Sequence, residues 1–83
     1  MTAAMTAEKA HLGAFVKVTS VVNNKTISVR VNDRGPFLRG ADKKAVRPFQ
    51  PDPHIVIDLT KAAFKELTGG LGMGKVRVRV EVQ

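Results

Sequence analysis

Two aspartates stand where strand-like runs end, and carboxylates in such places can do acid–base chemistry. Asp33 follows the alternating run 25–31, and Asp58 lies near the end of the apolar run 54–59. A carboxylic acid in such a place can donate a proton to a reacting group and take one back, as a general acid and base. Each aspartate also has a purely structural interpretation. Asp33 fits a turn of the type Asn-Asp-Arg-Gly, and Asp58 fits a cap where a helix begins.

Other common catalytic constellations do not assemble from these residues. The chain has no cysteine, and none of its serines lies in a nucleophile-elbow motif. His11 and His54 are far apart and lack a helical ligand spacing, so the sequence predicts no metal site and no cofactor. The glycine-rich stretch 69–75 follows a helix-like segment and leads into a strand, which argues against a phosphate-binding loop.

Four strand-like segments would position these aspartates. Their β-branched or alternating patterns predict strands at 14–22, 25–31, 54–59 and 75–83. Asn23-Asn24 tolerates the positive φ angles of a tight hairpin turn between the first two. In the last strand, alternation predicts that Val76, Val78, Val80 and Val82 all point inward. If the strands that end near the two aspartates are neighbours, both carboxylates open onto one groove.

One helix and one long connection complete the predicted elements. Thr60 is a suitable N-cap for a helix over 61–67, and Gly69 is a suitable residue to end it. Leu38–Pro53 is too long for a hairpin turn and carries three of the four prolines of the chain. Connections of this length in compact domains are often functional. It forms one wall of a groove or is a surface insertion.

Length and charge restrict the class of protein. Eighty-three residues are enough for one domain with a modest core, and no apolar run approaches the roughly 20 residues of a transmembrane helix. The formal net charge of +7 favours a polyanionic partner such as nucleic acid, acidic lipid or an anionic cell wall, or simply keeps the protein soluble. Four phenylalanines, without tryptophan or tyrosine, are poor material for stacking bases, so we do not expect nucleic acid as the partner.

Three segments of the chain resemble the rare lipoprotein A family. They read VKVTSVVNNKTISVRVNDRGPF, IDLTKAAFKEL and GLGMGKVRVRVEV, and the resemblance extends over nearly the whole chain. It implies a mainly β fold, with residues 1–83 as a single small double-psi β-barrel, six-stranded in the family, with one or two short helices. The family is distantly related to expansins and barwin-like proteins.

The resemblance also implies an activity and its residues. Active members resemble lytic transglycosylases, which cleave the bond between N-acetylmuramic acid and N-acetylglucosamine in peptidoglycan and leave a 1,6-anhydro end. Asp33 corresponds to the family's catalytic aspartate, and Asp58 to a second acidic position. Asn32 and Arg34 would hold the saccharide or orient Asp33. The implied substrate-binding positions are Asn32, Arg34, Thr2 and Thr6. The implied location is the periplasm or cell envelope, although the first residues do not resemble a signal peptide.

The sequence departs from the family pattern at two places. The family's first strand and a following segment that carries a glutamate have no counterpart here, and Leu38–Pro53 is longer than in typical members. An unpaired strand edge invites pairing. We therefore expect the segment Met1–His11 to fill the gap, or two chains to complete each other's barrels as a homodimer. Without the glutamate, we expect the chain to bind glycan and to cleave it slowly or not at all.

Three hypotheses of different classes follow. The first is a peptidoglycan lytic transglycosylase that uses Asp33 as its general acid and base. The second is a glycan-binding or wall-loosening module without catalysis, similar to expansins. The third is a basic barrel that binds nucleic acid or another protein. Release of 1,6-anhydromuropeptides separates the first hypothesis from the second, and binding to sacculi compared with duplex DNA tests the third.

Overall fold

The computed structural model describes residues 1–70, 72 and 74–83. This part of the chain contains five strands and one helix: β1 (Thr2–Ala4), β2 (Phe15–Ser20), β3 (Thr26–Asp33), β4 (Asp58–Leu59), α1 (Lys61–Thr68) and β5 (Val78–Val82). Its single helix is much too short to cross a membrane. The fold is thus mainly β, as the sequence predicts.

The strands form one curled sheet in the order β4-β1-β3-β2-β5. β2 and β3 form the predicted hairpin, and Asn24 in its turn has a φ of 60°, which asparagine tolerates better than most residues. β1 joins the sheet between β3, to which it is parallel, and β4, to which it is antiparallel. The N-terminal segment therefore enters the sheet interior rather than lying along its edge.

Alternation along the hairpin gives the sheet one buried face. Val16 and Val18 of β2 and Val29 and Val31 of β3 are almost wholly buried, whereas the residues between them point to solvent. A period of two puts successive side chains on opposite faces, so a strand with this pattern has one face for the core. Leu67 of α1 packs into the same core and is fully buried.

The helix begins and ends where the sequence predicts. The Thr60 hydroxyl accepts a hydrogen bond from the backbone N–H of Ala63 at 3.3 Å. Gly69 adopts a left-handed φ of 82°, and its N–H donates to the carbonyl of Lys65 at 2.7 Å. Because Thr60 is the cap, the interpretation of Asp58 as the helix cap is wrong.

Two strand predictions need correction. The run 54–59 contributes only Asp58–Leu59 to the sheet. The apolar residues Ile55, Val56 and Ile57 line a groove instead of pairing with a strand. The last strand covers Val78–Val82 rather than 75–83. Val82 lies on the same face as Val78 and Val80 but is 51% exposed, since β5 is an edge of the sheet. In the glycine-rich stretch 69–75, Leu71 and Met73 lie outside the described residues.

The long connection Leu38–Pro53 folds largely on itself. Short antiparallel bridges join Phe37 to Pro51 and Arg39 to Ala45. The rings of Phe37 and Phe49 stack with their centroids 5.1 Å apart, and the Arg47 guanidinium lies 4.5 Å from the Phe49 ring centroid. Only its last residue, Pro53, lines the groove described below, so most of the connection is a surface feature.

Candidate active site

β1 brings the two predicted aspartates to one end of the sheet. Ala4 is the register partner of Asp33 on one side and of Asp58 on the other. Neighbouring strands lie about 4.8 Å apart, so the two aspartate backbones are separated by roughly 10 Å. The strands that carry the aspartates, β3 and β4, are not direct neighbours, because β1 lies between them. The carboxylates still share one pocket.

A small cavity, the acidic pocket, lies between the two aspartates and has a volume of about 220 Å³. Asn32 and Asp33 line it from β3, and Asp58 from β4. The remaining lining residues are Ala3, Ala4, Leu59 and Thr60. In the described part of the chain, no three His, Asp or Glu side chains come together as a metal site.

A break in register directs the end of β3 toward this pocket. Ala3 pairs with Val31, but the next residue, Ala4, pairs with Asp33, so Asn32 is the extra residue of a bulge. Regular alternation would put Asp33 on the buried face with Val31. A bulge re-aims the side chains that follow it, and Asp33 is exposed. The irregularity thus turns a core position into a pocket position.

The Asp33 carboxylate makes one local hydrogen bond. Its Oδ1 accepts from the backbone N–H of Arg34 at 2.8 Å, which is the turn contact that the Asn-Asp-Arg-Gly pattern predicts. The carbonyl of Asp33 accepts from the N–H of Met5 at 3.2 Å. The backbone here is therefore fixed on both sides, while the rest of the carboxylate faces the pocket.

Arg34 holds the turn to the N-terminal segment. Its guanidinium Nη1 donates to the carbonyl of Met5 at 3.4 Å and to the carbonyl of Ala10. Within the described residues it forms no ion pair with Asp33. The Arg34 guanidinium therefore binds the protein backbone and does not line the acidic pocket described above.

Asp58 lies where the acidic pocket meets a larger cavity. This cavity, the apolar groove, has a volume of about 780 Å³ and shares Asp58 and Leu59 with the acidic pocket. Apolar residues such as Ile55, Val56 and Phe64 form much of its wall. Its remaining charged lining residues are all cationic: Lys9, Lys61, Lys75 and Arg77. The Asp58 side chain is exposed and accepts no hydrogen bond from the described residues.

Three of the four predicted substrate-binding positions, Arg34, Thr2 and Thr6, do not line the acidic pocket. Thr2 is half-buried in β1, and its carbonyl accepts from the N–H of Thr60 at 3.3 Å. Thr6 is buried, and its hydroxyl has no hydrogen-bond partner in the described residues. Sequence reasoning missed Ala4 and Thr60 as lining residues. The three-residue strand around Ala4 is too short to give a periodic signal.

Over residues 1–80 the chain matches the family model described as "Lytic transglycolase". The chain belongs to this family. Its domain is a double-psi β-barrel, and the curled five-stranded sheet is consistent with part of such a barrel. The fold implied by the three resembling segments is therefore confirmed.

Curated relatives from several bacteria support the same assignment. Over 71 residues the chain is 38% identical to the endolytic peptidoglycan transglycosylase RlpA of Pasteurella multocida. This match covers 86% of this chain and 19% of the relative. It is 41% identical over 81 residues to a probable endolytic peptidoglycan transglycosylase RlpA of Nostoc sp.; the match covers 95% of this chain and 18% of the relative. It is 43% identical over 70 residues to RlpA of Pseudomonas aeruginosa; the match covers 84% of this chain and 16% of the relative. The chain thus spans less than a fifth of the length of these relatives.

Proposed function

We propose that this domain acts on peptidoglycan glycan strands in the cell envelope and cleaves them as a lytic transglycosylase, with Asp33 as the general acid and base. The observation that carries the proposal is the acidic pocket, in which Asp33 and Asp58 face one cavity from either side of Ala4. Family membership and the RlpA relatives, which are named as endolytic peptidoglycan transglycosylases, support the choice of substrate.

The proposed reaction needs one carboxyl group and no water. Asp33 donates its proton to the glycosidic oxygen as the bond to the muramic acid C1 breaks. The 6-hydroxyl of the same sugar then attacks C1 and gives its proton to the Asp33 carboxylate. A 1,6-anhydro bond replaces the glycosidic bond, and the acid is restored. Most glycosidases need a second carboxylate as nucleophile or as base for water, and here the internal hydroxyl takes that role.

Asp58, Asn32 and Arg34 have supporting roles in this proposal. Asp58 and Asn32 are exposed at the pocket and are suited to hydrogen-bond sugar hydroxyl groups. Arg34 keeps the turn of Asp33 in place through its bonds to Met5 and Ala10. The net charge of +7 favours association with the carboxylates of peptide stems.

A second candidate is a module that binds glycan without cleaving it. It is favoured by the exposure of both carboxylates, because exposed carboxylates suit hydrogen bonding to sugars as well as proton transfer. The two candidates share the acidic pocket and differ in whether the glycosidic bond is broken.

Digestion of purified sacculi by the 83-residue chain, followed by mass spectrometry of the soluble products, tests the proposal. We expect slow release of fragments that end in 1,6-anhydromuramic acid. Fragments with free reducing ends would overturn the transglycosylase mechanism in favour of hydrolysis. Sacculi that bind the chain but release no fragments would overturn catalysis and leave the binding module. Absence of both binding and products would overturn peptidoglycan as the substrate.

A further inference from the structure

β5 leaves one side of its backbone unpaired. It is the last strand of the sheet, and in the described part of the chain it pairs with β2 alone. The opposite edge, β4, consists of only two residues. β5 is therefore the one long open edge of the described sheet, and such an edge is a template for another strand.

The hydrogen bonds to β2 show which groups of β5 point outward. The N–H of Val21 donates to the carbonyl of Arg77, and the N–H of Gln83 donates to the carbonyl of Phe15. In an antiparallel pair, residues whose backbone groups bond the partner strand alternate with residues whose backbone groups point to the other side. The backbone groups of Val78, Val80 and Val82 therefore face away from β2, toward the open side.

The side chains of β5 are arranged in a self-complementary pattern. Antiparallel pairing of β5 with a second β5 around a two-fold axis at Val80 sets Arg79 opposite Glu81 of the partner subunit, and Glu81 opposite its Arg79. The same register sets Val78 opposite Val82 of the partner subunit. Opposite charges and β-branched residues directly across a strand pair are both favourable.

Competing registers are less complementary. An axis at Arg79 sets two arginines directly opposite each other, and an axis at Glu81 sets two glutamates opposite each other. Like charges in those positions are destabilising. The register centred on Val80 also uses the outward groups of Val78, Val80 and Val82 as its hydrogen-bonded pairs. Backbone geometry therefore permits this register, and side-chain charge favours it over the registers centred on Arg79 and Glu81.

The side chains that would meet across this axis are available to a partner. Arg79 and Glu81 are exposed, and in the described part of the chain the single ion pair is Lys25 with Glu66. Val82 is 51% exposed, while Val78 and Val80 are partly buried against the core. A partner strand would cover Val82 with its own Val78 and continue the apolar face of the sheet.

We infer that the open edge of β5 is a homodimerisation surface, on which two copies of this chain pair their β5 strands antiparallel about Val80 and join their sheets into one. This inference does not depend on the proposed catalytic function. The contact is one strand long, so the dimer is weak and forms at high protein concentration, as small interfaces do.

Sedimentation velocity of the 83-residue chain tests the inference over about a hundredfold range of concentration. We expect the mean mass to rise from that of the 9.0 kDa monomer toward twice that value. Amide exchange of Val80 should slow over the same range. A chain that stays monomeric, or a dimer in which Val80 gains no protection, would overturn the inference.

Charge variants test the register. Arg79→Glu and Glu81→Arg should each dimerise about tenfold or more weakly, because each sets like charges opposite each other. An equimolar mixture of the two variants should form a heterodimer, since its charges are again complementary. The double variant Arg79→Glu/Glu81→Arg should form a homodimer. Single variants that dimerise like the original chain, or a mixture that stays monomeric, would overturn the register.

The mixture also separates pairing from folding. Glu81 lies opposite Lys17 of β2 within the chain, so Glu81→Arg puts two cations side by side in the monomer. Circular dichroism of each variant shows whether the monomer is folded. Misfolded single variants would not recover when mixed, whereas folded variants with mismatched edges would. A Val80→Pro variant removes the central outward N–H, which edge strands tolerate, and it should stay monomeric.

Discussion

Asp33 and Asp58 lie on opposite sides of the same residue, Ala4, each as its partner in the sheet. This relationship depends on β1, a strand of three residues, and on the bulge at Asn32 that turns Asp33 out of the core face. The two acids come from positions far apart in the sequence. Their common pocket is thus a property of the sheet order rather than of either turn.

Asp33→Asn tests the catalytic assignment. The amide keeps an oxygen that can accept the N–H of Arg34, so the turn and the melting temperature should be preserved. It cannot donate and take back a proton as a carboxylic acid does. Release of 1,6-anhydro fragments from sacculi should fall by about 10²-fold or more, as expected when a general acid is removed.

Asp52→Asn is the matched control for this substitution. The Asp52 carboxylate accepts from the N–H of His54 at 2.8 Å, so it makes the same kind of local contact outside the acidic pocket. This variant should keep full release of fragments. If both variants keep full activity, Asp33 is not the catalytic acid. If both lose activity to the same extent, the loss is a general effect of removing a negative charge.

Asp58→Asn and Thr60→Ala should separate binding from helix capping. The Asp58 side chain accepts no hydrogen bond from the described residues, so its variant should melt like the original chain and bind glycan more weakly. Thr60→Ala removes the cap that accepts from Ala63 and should cost about 1 kcal/mol of stability. In a domain of this size, that cost corresponds to a fall of about 4–8 °C in Tm. A lower Tm for the Asp58 variant would contradict this division of roles.

The hairpin, the helix and its caps follow from local signals in the sequence. Alternating valines define the buried face of β2 and β3, Asn24 permits the turn, and Thr60 with Gly69 bounds α1. These signals act within a few residues of the positions they determine. Local reasoning is therefore sufficient for them.

The position of β1 and the share of 54–59 in the sheet depend on distant contacts. Three residues cannot show a period of two convincingly, so Thr2–Ala4 has no strand signal of its own. The apolar residues Ile55, Val56 and Ile57 read as a strand, but they line the groove while only Asp58–Leu59 pairs. Val82 lies on the predicted face but stays exposed for a similar reason, since alternation does not show which strand is an edge.

Arg34→Lys tests whether the guanidinium fixes the turn of Asp33. The ammonium group of a lysine is on a shorter side chain and does not place its donors where Nη1 of Arg34 binds the carbonyls of Met5 and Ala10. Hydrogen bonds to charged groups contribute about 1.5–3 kcal/mol each, so we expect a loss of roughly 2 kcal/mol in the free energy of unfolding. Amide exchange between Met5 and Ala10 should become faster.

Arg39→Lys is the control for this prediction. Arg39 also donates to a backbone carbonyl, that of Lys43 at 2.7 Å, but it does so at the exposed surface of the long connection. Surface substitutions usually change stability by less than about 0.5 kcal/mol. If both lysine variants lose stability equally, the bonds of Arg34 to the N-terminal segment have no special role.

Wall binding should depend steeply on salt if the net charge of +7 drives it. Screening shortens the reach of exposed charges from about 30 Å at 0.01 M to about 8 Å at 0.15 M ionic strength. We expect binding of the chain to sacculi in a pull-down assay to weaken over this range.

Lys43→Gln/Lys44→Gln, which removes two exposed cations of the long connection, should weaken binding at low salt and flatten its salt dependence. Lys25→Gln is the control, because Lys25 already pairs with Glu66 at 3.5 Å. Binding that ignores salt would show instead that hydrogen bonds in the acidic pocket determine affinity for the glycan.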